Sequence, residues 1–469
     1  MNIAARLFGL DDFRRQAPIH LRSDPILQRQ EQRESSARSY PRRIPLVLSE
    51  ARGIYVRDTA GQLYIDCLAG AGTLALGHNH PVVIAALHDA IASGVPLHTL
   101  DLSTKLKDEF VDALFASLPP AMRRGRVQFC GPSGSDAIEA ALKLVRTAMG
   151  RRVVIGFSGA YHGMTAGVLP LMGNLAVREP LGGATGDAHI MPFPYDYRCP
   201  FGLGGESAID AHLRLLEQVL TDPESGVPAP AAVLLEVVQG EGGVVPAPAR
   251  WLQGVRRLTR AAGVPLVIDE IQTGVARTGS FFAFEQAGIE PDVLVLSKAI
   301  GGGLPMAVVI YRDELDRWAP GAHAGTFRGN QLAMAAGLAT VKRVRDEALH
   351  LHAEQMGARL CAHLREIQAD FPAIGDSRGR GLMIGVEMIS EAAAFDGPAA
   401  PPGDGGMARA VQRACLEQGL IIEVGGRHGA VLRFLCPLIV TAEEVDEIAG
   451  RFRAAMGKAC ATPVREAAE

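Results

Sequence analysis

The chain has 469 residues, 48% of them apolar and 21% charged, and a formal net charge of −4 at pH 7. This length is sufficient for two or three domains' worth of core, and the charge gives no broad electrostatic reason to expect a nucleic acid or an anionic membrane as a partner. The seven cysteines are scattered and form no CxxC motif, so reduced thiols are expected. No signal peptide or membrane-length apolar run is evident, and the sequence predicts a soluble, cytoplasmic protein of enzyme size.

The order of the apolar runs predicts an α/β protein. Residues 1–45 are rich in arginine and glutamine and are expected to form an arm with one or two helical turns. The segment 53–66 alternates apolar and polar residues around Asp58-Thr-Ala-Gly61, which predicts a β-hairpin. From about residue 82 to 330, helical patterns alternate with short apolar runs, as in a largely parallel sheet covered by helices. A long amphipathic helix is expected over 347–370.

Two of the apolar runs end in side chains of opposite charge. The run 292–297 precedes Lys298 and a triple glycine, and the run 263–268 precedes Asp269. Ligands of parallel α/β sheets bind beyond the carboxyl ends of the strands. A pyridoxal phosphate (PLP) enzyme needs this pair, because the lysine forms a Schiff base and shuttles a proton while the acid keeps the ring nitrogen protonated. Taken singly, each residue is better explained as a cap of a strand or helix; together with the glycines they favour the cofactor.

A glycine- and serine-rich loop, Gly131-Pro-Ser-Gly-Ser-Asp136, lies between a predicted strand and a predicted helix. Its backbone N–H groups, the hydroxyls of Ser133 and Ser135 and the positive end of the helix dipole all suit a phosphate. Such loops are also common as plain helix caps, so the loop alone leaves both interpretations open.

Two further segments carry side chains that suit an aromatic cofactor. Tyr161, in Gly159-Ala-Tyr-His-Gly163, can lie flat against the ring with His162 beside it, or it belongs to the core. Gln272, three residues after Asp269, can reach the ring hydroxyl. No metal site is predicted.

Ionisable residues inside apolar runs point to buried ion pairs. Glu236 and Glu241 lie in the run 235–243, and burial of Glu236 is costly unless it is paired. Arg433 is likewise embedded in an apolar run and requires a carboxylate partner. A protein carboxylate that releases this arginine would let it bind a substrate carboxylate through two hydrogen bonds; a purely structural salt bridge is the alternative. Thr326, in a turn before a predicted helix, has a hydroxyl that suits another phosphate contact.

Together these motifs resemble those of the class III (ω-) aminotransferases, from about residue 45 to the end of the chain. The motifs that carry the resemblance are Gly131-Pro-Ser-Gly-Ser-Asp136, Tyr161-His-Gly163, Glu236-Val-Val-Gln-Gly-Glu-Gly-Gly243, Asp269-Glu-Ile-Gln-Thr-Gly274, Ser297-Lys-Ala-Ile-Gly-Gly-Gly303, Thr326-Phe-Arg-Gly-Asn330 and Leu432-Arg433. The resemblance implies a fold-type I PLP-dependent transferase with a largely parallel central sheet in a large domain. It also implies a small α+β domain built from both chain ends, and a homodimer whose active sites are shared between subunits.

Domain boundaries follow from this architecture. We predict an N-terminal arm over 1–45, the N-terminal part of the small domain over 46–85, the PLP-binding domain over 86–346 and the C-terminal part of the small domain over 347–469.

The resemblance also implies roles for individual residues. Lys298 would form the Schiff base, Asp269 would bind the pyridine nitrogen, Gly134 and Ser135 would hold the phosphate, and Tyr161 would stack on the ring. The remaining predicted cofactor contacts are Ser133, His162, Glu236, Gln272 and Thr326, the last to the partner subunit's phosphate.

Glu241 and Arg433 match the family's gating pair, which lets one pocket accept both an ω-amine and an α-keto dicarboxylate. Val237 is a small departure, because many members carry proline after the first glutamate of this motif. Several stretches are most similar to a subgroup that transaminates L-2,4-diaminobutyrate with 2-oxoglutarate, particularly those tied to siderophore or diaminopropane synthesis. The alternatives are an aminotransferase for ornithine, N-acetylornithine, 4-aminobutyrate or lysine, an aminomutase of the same fold, and a non-catalytic scaffold.

Overall fold

A computed structural model describes residues 8–17, 19–21, 24–181, 187–390 and 400–461 of the chain. The helices in these ranges are α1 (Leu10–Arg15), α2 (Pro25–Arg33), α3 (Tyr40–Arg43), α4 (Pro81–Ala92), α5 (Lys105–Ala116), α6 (Gly134–Met149), α7 (Gly205–Thr221), α8 (Ala249–Ala261), α9 (Gln331–Asp346), α10 (Leu349–Asp370), α11 (Gly405–Glu417) and α12 (Ala442–Ala461). The strands are β1 (Leu48–Arg52), β2 (Tyr55–Asp58), β3 (Leu63–Asp66), β4 (Arg126–Phe129), β5 (Val154–Phe157), β6 (Ala188–Met191), β7 (Ala232–Glu236), β8 (Val238–Gln239), β9 (Val245–Pro246), β10 (Leu266–Asp269), β11 (Val293–Leu296), β12 (Val308–Tyr311), β13 (Ile374–Arg380), β14 (Met383–Met388), β15 (Leu420–Ile421), β16 (Glu423–Gly425) and β17 (Val431–Phe434).

The central sheet is largely parallel, as the alternation of helical and apolar segments predicted. Its strand order is β4-β12-β11-β10-β7-β5-β6, and only β12 runs antiparallel to its neighbours among the described strands. Every residue of β5, β7, β10, β11 and β12 is buried, which is why these strands read as continuous apolar runs. The register places Asp269 of β10 directly beside Glu236 of β7 at the carboxyl end of the sheet.

Both ends of the chain contribute to a smaller pair of sheets. The predicted hairpin is confirmed, with β2 antiparallel to β3 and the Asp58 carboxylate accepting from the backbone N–H groups of the turn. The C-terminal strand β15 pairs in parallel with β3, and the second sheet has the order β13-β14-β17-β16. This shared sheet agrees with a small domain built from both ends, while the boundaries given above stay a prediction.

The N-terminal arm differs from expectation where it is described. The expectation of one or two helical turns is wrong, because α1, α2 and α3 occupy much of residues 10–43. The reason is local: Asp24 caps α2 by accepting from the N–H of Ile26, and Pro25 fills the first helical position. The arm packs on the C-terminal part of the same chain, since Phe13 is fully buried and the Arg14 guanidinium lies 2.9 Å from Glu447.

Two other predictions differ in detail from the structure. The apolar run over 232–238 is divided, because β7 ends at Glu236 and β8 begins at Val238. The long helix begins at Leu349 rather than 347, after Ala348 in the left-handed region at φ +49°. None of the helices in the described ranges combines the length and apolar character needed to cross a membrane.

Gly357, in α10, packs so tightly that its replacement tests this arrangement. A Cβ at this position would lie 2.0 Å from the carbonyl oxygen of Gly381, in the turn between β13 and β14. We expect Gly357→Ala to lower the free energy of unfolding by about 1–3 kcal/mol, although alanine favours a helix over glycine by about 1 kcal/mol. Thermal unfolding would measure the change. The matched control is Gly450→Ala in α12, where a Cβ meets no atom within 4 Å; equal stability of the two variants would contradict the close contact.

Candidate active site

A cavity of about 260 Å³ opens beyond the carboxyl ends of β7, β10 and β11. Its lining residues are Ser133, Gly134, Ser135, Tyr161, His162, Gly163, Glu236, Glu241, Asp269, Ile271, Gln272, Thr273, Ser297 and Lys298. The fold therefore brings together ten of the residues predicted from the sequence, drawn from five separate motifs. Two predicted site residues do not line the cavity. Arg433 contacts the lining residue Glu241, and Thr326 lies on the turn before α9.

Lys298 follows β11 at the point where the chain leaves the sheet. Its φ of +50° places it in the left-handed region, which a side-chain-bearing residue rarely adopts and which is concentrated at functional sites. Burial lowers the pKa of Lys298, an effect opposed by the negative charges of Glu241 and Asp269 and supported by the positive charge of Arg433. The site thus favours a neutral, nucleophilic amine more than water does.

Asp269 is buried at the end of β10, with 4% of its surface exposed. One carboxylate oxygen lies 2.8 Å from Nδ1 of His162, and the other accepts from the backbone N–H of Ile271 at 3.0 Å. Burial alone would lower the pKa of His162, but the hydrogen bond to Asp269 and the charge of Glu236 raise it. His162 therefore donates its Nδ1–H to the Asp269 carboxylate.

Glu236 is satisfied by backbone amides rather than by an arginine. Its two carboxylate oxygens accept from the N–H groups of Tyr161 and Gly240, each at 3.0 Å. Burial, together with the negative charge of Asp269, raises the pKa of Glu236 to about 7, while His162 and the two amides act in the opposite direction. This glutamate fixes the segment that carries Tyr161, which places the half-buried ring in the cavity wall.

The loop before α6 forms a cradle that has room only for small residues. A Cβ on Gly134 would lie 2.8 Å from Ile271, and one on Gly163 would lie 1.9 Å from the Ser135 hydroxyl. The Asp136 carboxylate accepts from the N–H of Gly131 at 2.5 Å and lies 3.0 Å from Nε2 of His323, so it ties the loop to a neighbouring segment. The loop thus presents hydroxyls, backbone amides and the N-terminus of a 16-residue helix to the cavity.

Glu241 and Arg433 form an ion pair at one wall of the cavity. The arginine Nη1 donates to Glu241 Oε1 at 2.8 Å; the arginine side chain is 1% exposed and the glutamate side chain 41%. Burial opposes ionisation of Glu241, but the charge and hydrogen bond of Arg433 lower its pKa. Gln272 lies nearby and donates to the carbonyl of Ala71 at 3.1 Å.

Two residues of this wall were not anticipated from the sequence. Glu423, in β16, lies opposite Arg433 in the antiparallel register, with 2.8 Å between its Oε2 and Nη2 of the arginine. The hydroxyl of Tyr40, in α3, donates to Glu423 Oε1 at 2.9 Å. A carboxylate inside the apolar run 420–424 is the same signal that singled out Glu236, so Glu423 could have been found; nothing in the sequence around Tyr40 indicates its partner.

Thr326 does not line the cavity in this chain. It begins a short helical turn, Thr326–Gly329, that precedes α9, and Thr326 and Phe327 are its exposed residues. The neighbouring Gly325 lies beside the loop before α6, where a Cβ would be 3.7 Å from the backbone nitrogen of Gly131. Its predicted contact with the partner subunit's phosphate stays a prediction.

The cavity fits pyridoxal phosphate. It offers an amine of lowered pKa, a buried carboxylate backed by a histidine, a flat aromatic residue and a cradle of small residues at a helix N-terminus. A lysine and an acid of this kind are what the cofactor's aldehyde and ring nitrogen require. The fold and the site are therefore those of a PLP-dependent enzyme of fold type I.

Comparison with known proteins identifies the family to which this enzyme belongs. Residues 36–456 match the family model for class III aminotransferases. The chain is 55% identical over 430 residues to a diaminobutyrate–2-oxoglutarate aminotransferase of Rhizobium meliloti (92% of each chain) and 49% identical over 428 residues to one of Haemophilus influenzae (91% of this chain, 94% of the relative). It also resembles the crystal structure of a PLP-bound amine transaminase from an uncultivated Pseudomonas species, with a TM-score of 0.81 and 26% identity over 91% of this chain and 98% of the other. The chain belongs to the class III aminotransferase family, and its cofactor is pyridoxal phosphate.

The raised pKa of Glu236 predicts a pH dependence of stability. Between its ordinary value of 4.5 and about 7 the folded state holds a proton that the unfolded state releases, so this contribution is complete below pH 4.5 and is lost as the pH rises through 7. The shift corresponds to about 3 kcal/mol. We expect Glu236→Gln to reduce the fall in unfolding free energy between pH 5 and pH 8, measured by urea denaturation. The exposed Glu314→Gln serves as control and should follow the wild type; if Glu236→Gln does so as well, the glutamate is ionised in the folded state at pH 5.

Proposed function

We propose that this aminotransferase exchanges an amino group between L-2,4-diaminobutyrate and 2-oxoglutarate, with L-aspartate 4-semialdehyde and L-glutamate as the other substrate pair. The names of the two relatives described above support this reaction. The observation in this chain that carries it is the ion pair between the partly exposed Glu241 and the buried Arg433. With the pair closed, the charges of Glu241 and Arg433 compensate each other; with Glu241 turned aside, Arg433 can bind an anionic group of the substrate. One pocket therefore has two electrostatic states.

The reaction requires these two states because its two amino donors differ at the end away from the reacting nitrogen. Glutamate brings a second carboxylate, which Arg433 can bind once Glu241 turns aside. Diaminobutyrate reacts through its distal amine, and the closed Glu241–Arg433 pair then leaves no uncompensated arginine beside it. Because Glu241 is 41% exposed while Arg433 is 1% exposed, the glutamate is the member of the pair that moves.

Lys298 carries the chemistry at the floor of the pocket. Its lowered pKa supplies the neutral amine that binds the cofactor's aldehyde carbon. With the cofactor bound, Nζ of Lys298 would be the base that takes a proton from the substrate carbon and the acid that then returns it. The two substrates react in turn at this one amine, which makes the reaction ping-pong.

The other residues hold the cofactor in position. Pyridoxal phosphate, when bound, supplies an electron-accepting ring that stabilises negative charge at the substrate carbon. Asp269, supported by His162, would hold the proton on the ring nitrogen. Ser133, Gly134 and Ser135 would bind the phosphate, Tyr161 would pack on the ring, Gln272 would bind the ring hydroxyl, and Glu236 orients the Tyr161 segment.

We further propose that the enzyme works as a homodimer. Thr326 stands outside the cavity of its own chain, on a short turn next to Phe327, which is 61% exposed. A second copy that packs against Phe327 would receive the threonine hydroxyl at the phosphate of its own cofactor. This arrangement agrees with the resemblance that assigns Thr326 to the partner subunit.

Opposite changes in substrate preference test the proposed gate. Arg433→Ala should raise KM for glutamate and 2-oxoglutarate by about tenfold or more, the cost of one charge-assisted hydrogen bond, and affect diaminobutyrate far less. Glu241→Gln should do the reverse, because Nη1 of Arg433 then has no competing carboxylate of the protein and binds the dicarboxylate more readily. Steady-state kinetics on both half-reactions would measure these changes. Equal losses for all three substrates in both variants would rule out gating.

An amine panel tests the reaction itself. Purified, PLP-loaded protein is supplied with 2-oxoglutarate and one amine at a time, and glutamate formation is followed with diaminobutyrate, ornithine, N-acetylornithine, 4-aminobutyrate and lysine. We expect a strong preference for diaminobutyrate. Preference for another amine would overturn the substrate while leaving the cofactor site intact. Amine turnover without an added acceptor would instead indicate an aminomutase.

A further inference from the structure

Arg433 faces two carboxylates, and only one of them belongs to the gate. Glu423 lies directly across from it on the neighbouring strand, 2.8 Å from Nη2, while Glu241 lies 2.8 Å from Nη1. The Glu423 side chain is 11% exposed and is fixed in a strand. This carboxylate therefore stays in place when Glu241 turns aside.

The two carboxylate oxygens of Glu423 have different partners: Oε1 accepts a hydrogen bond, and Oε2 is held only by the ion pair with Arg433. The Tyr40 hydroxyl donates to Oε1 at 2.9 Å, whereas Oε2 accepts no hydrogen bond from the described residues although Nη2 of Arg433 is close. Buried carboxylate oxygens nearly always have a donor. Glu423 is separated from the cavity-lining residue Glu241 by Arg433. A carboxylate oxygen that is held only by an ion pair can still accept a hydrogen bond from a donor that arrives with the substrate.

The charges at this wall favour a cationic donor. Glu241, Glu423 and Arg433 together carry two negative charges and one positive charge. Two other basic residues act on Glu241: Lys298, whose amine burial favours in the neutral form, and Arg43. Arg43 is exposed and donates to the carbonyl of Val424 at 3.2 Å, so solvent screens much of its charge. The gate alone needs one carboxylate, and the second leaves an excess of negative charge in a largely buried place, which an ammonium group would compensate.

Resting on the proposed function, we propose that Glu423 is a specificity-determining residue that binds the α-ammonium group of the diamino acid. When the distal amine of diaminobutyrate reaches Lys298, its α-ammonium group remains at the far end of the substrate, on the side of Glu241 and Arg433. Monoamines such as 4-aminobutyrate have no such group. Tyr40 is a positioning residue, because its hydroxyl holds Oε1 and leaves Oε2 for the substrate.

The test compares two amines that differ in this one group. Holoenzyme is mixed with diaminobutyrate or with 4-aminobutyrate in the absence of keto acid, and the change in the absorbance of the bound cofactor is followed by stopped flow. In Glu423→Gln, the ratio of the second-order rate constants for diaminobutyrate and 4-aminobutyrate should fall about tenfold or more, since an ion pair to a substrate ammonium is lost. Glu423→Asp, which keeps the charge, should recover part of the ratio.

Matched variants separate this effect from a loss of structure. Tyr40→Phe should lower the ratio in the same direction but less, because it only frees the carboxylate to move. The chain offers a second tyrosine–glutamate pair away from the pocket, in which the Tyr55 hydroxyl donates to Glu444 at 2.8 Å. Tyr55→Phe and Glu444→Gln should leave the ratio at the wild-type value.

The outcomes distinguish this inference from the proposed function. If wild-type protein uses diaminobutyrate and the ratio is unchanged in Glu423→Gln and Tyr40→Phe, or both amines slow equally, Glu423 does not recognise the α-ammonium group. If wild-type protein does not use diaminobutyrate, the proposed function itself fails. Should Glu423→Gln not fold or hold the cofactor, as judged by thermal unfolding and visible absorbance, Tyr40→Phe decides the question by the same ratio.

Discussion

Burial of ionisable side chains at the carboxyl edge of an apolar sheet is the constraint on which this site depends. Strands β7, β10 and β11 are wholly buried, so Glu236, Asp269 and Lys298 emerge where little water can solvate them. Each carboxylate is therefore bound by fixed donors: two backbone amides for Glu236, and one amide with His162 for Asp269. The same dry surroundings lower the pKa of the lysine. Stability and reactivity thus have one physical origin.

The wall formed by Glu241, Arg433 and Glu423 connects this edge to the smaller sheets. Arg433 belongs to β17 and Glu423 to β16, whereas Glu241 lies in the turn between β8 and β9. Tyr40 brings α3 into the same network through Glu423. The N-terminal arm is consequently linked, through Glu423, to the arginine that we propose to bind the glutamate carboxylate.

Much of the fold and site could be predicted because the signals are local. The buried strands are continuous apolar runs in the sequence, the turn at Asp58 carries its own hydrogen bonds, and the glycines of the loop before α6 are required by contacts of 2.9 Å or less. The arm was predicted less well, since α2 depends on a cap at Asp24 and α1 on the packing of Phe13 in the core. The break between β7 and β8 within residues 232–238 was also not predicted, because a continuous apolar sequence does not indicate where strand pairing ends.

The sequence by itself determined the chemistry: which lysine, which acid and which small residues form the pocket, since each stands at the end of a recognisable strand or the start of a helix. Only the tertiary structure decided the partners of the charged groups. Glu236 is bound by amides, while Arg433 is bound by Glu241 and Glu423, residues that lie 192 and 10 positions away in the chain. Ion pairing depends on distance in space and on exclusion of water, and strand register, not spacing along the chain, sets both.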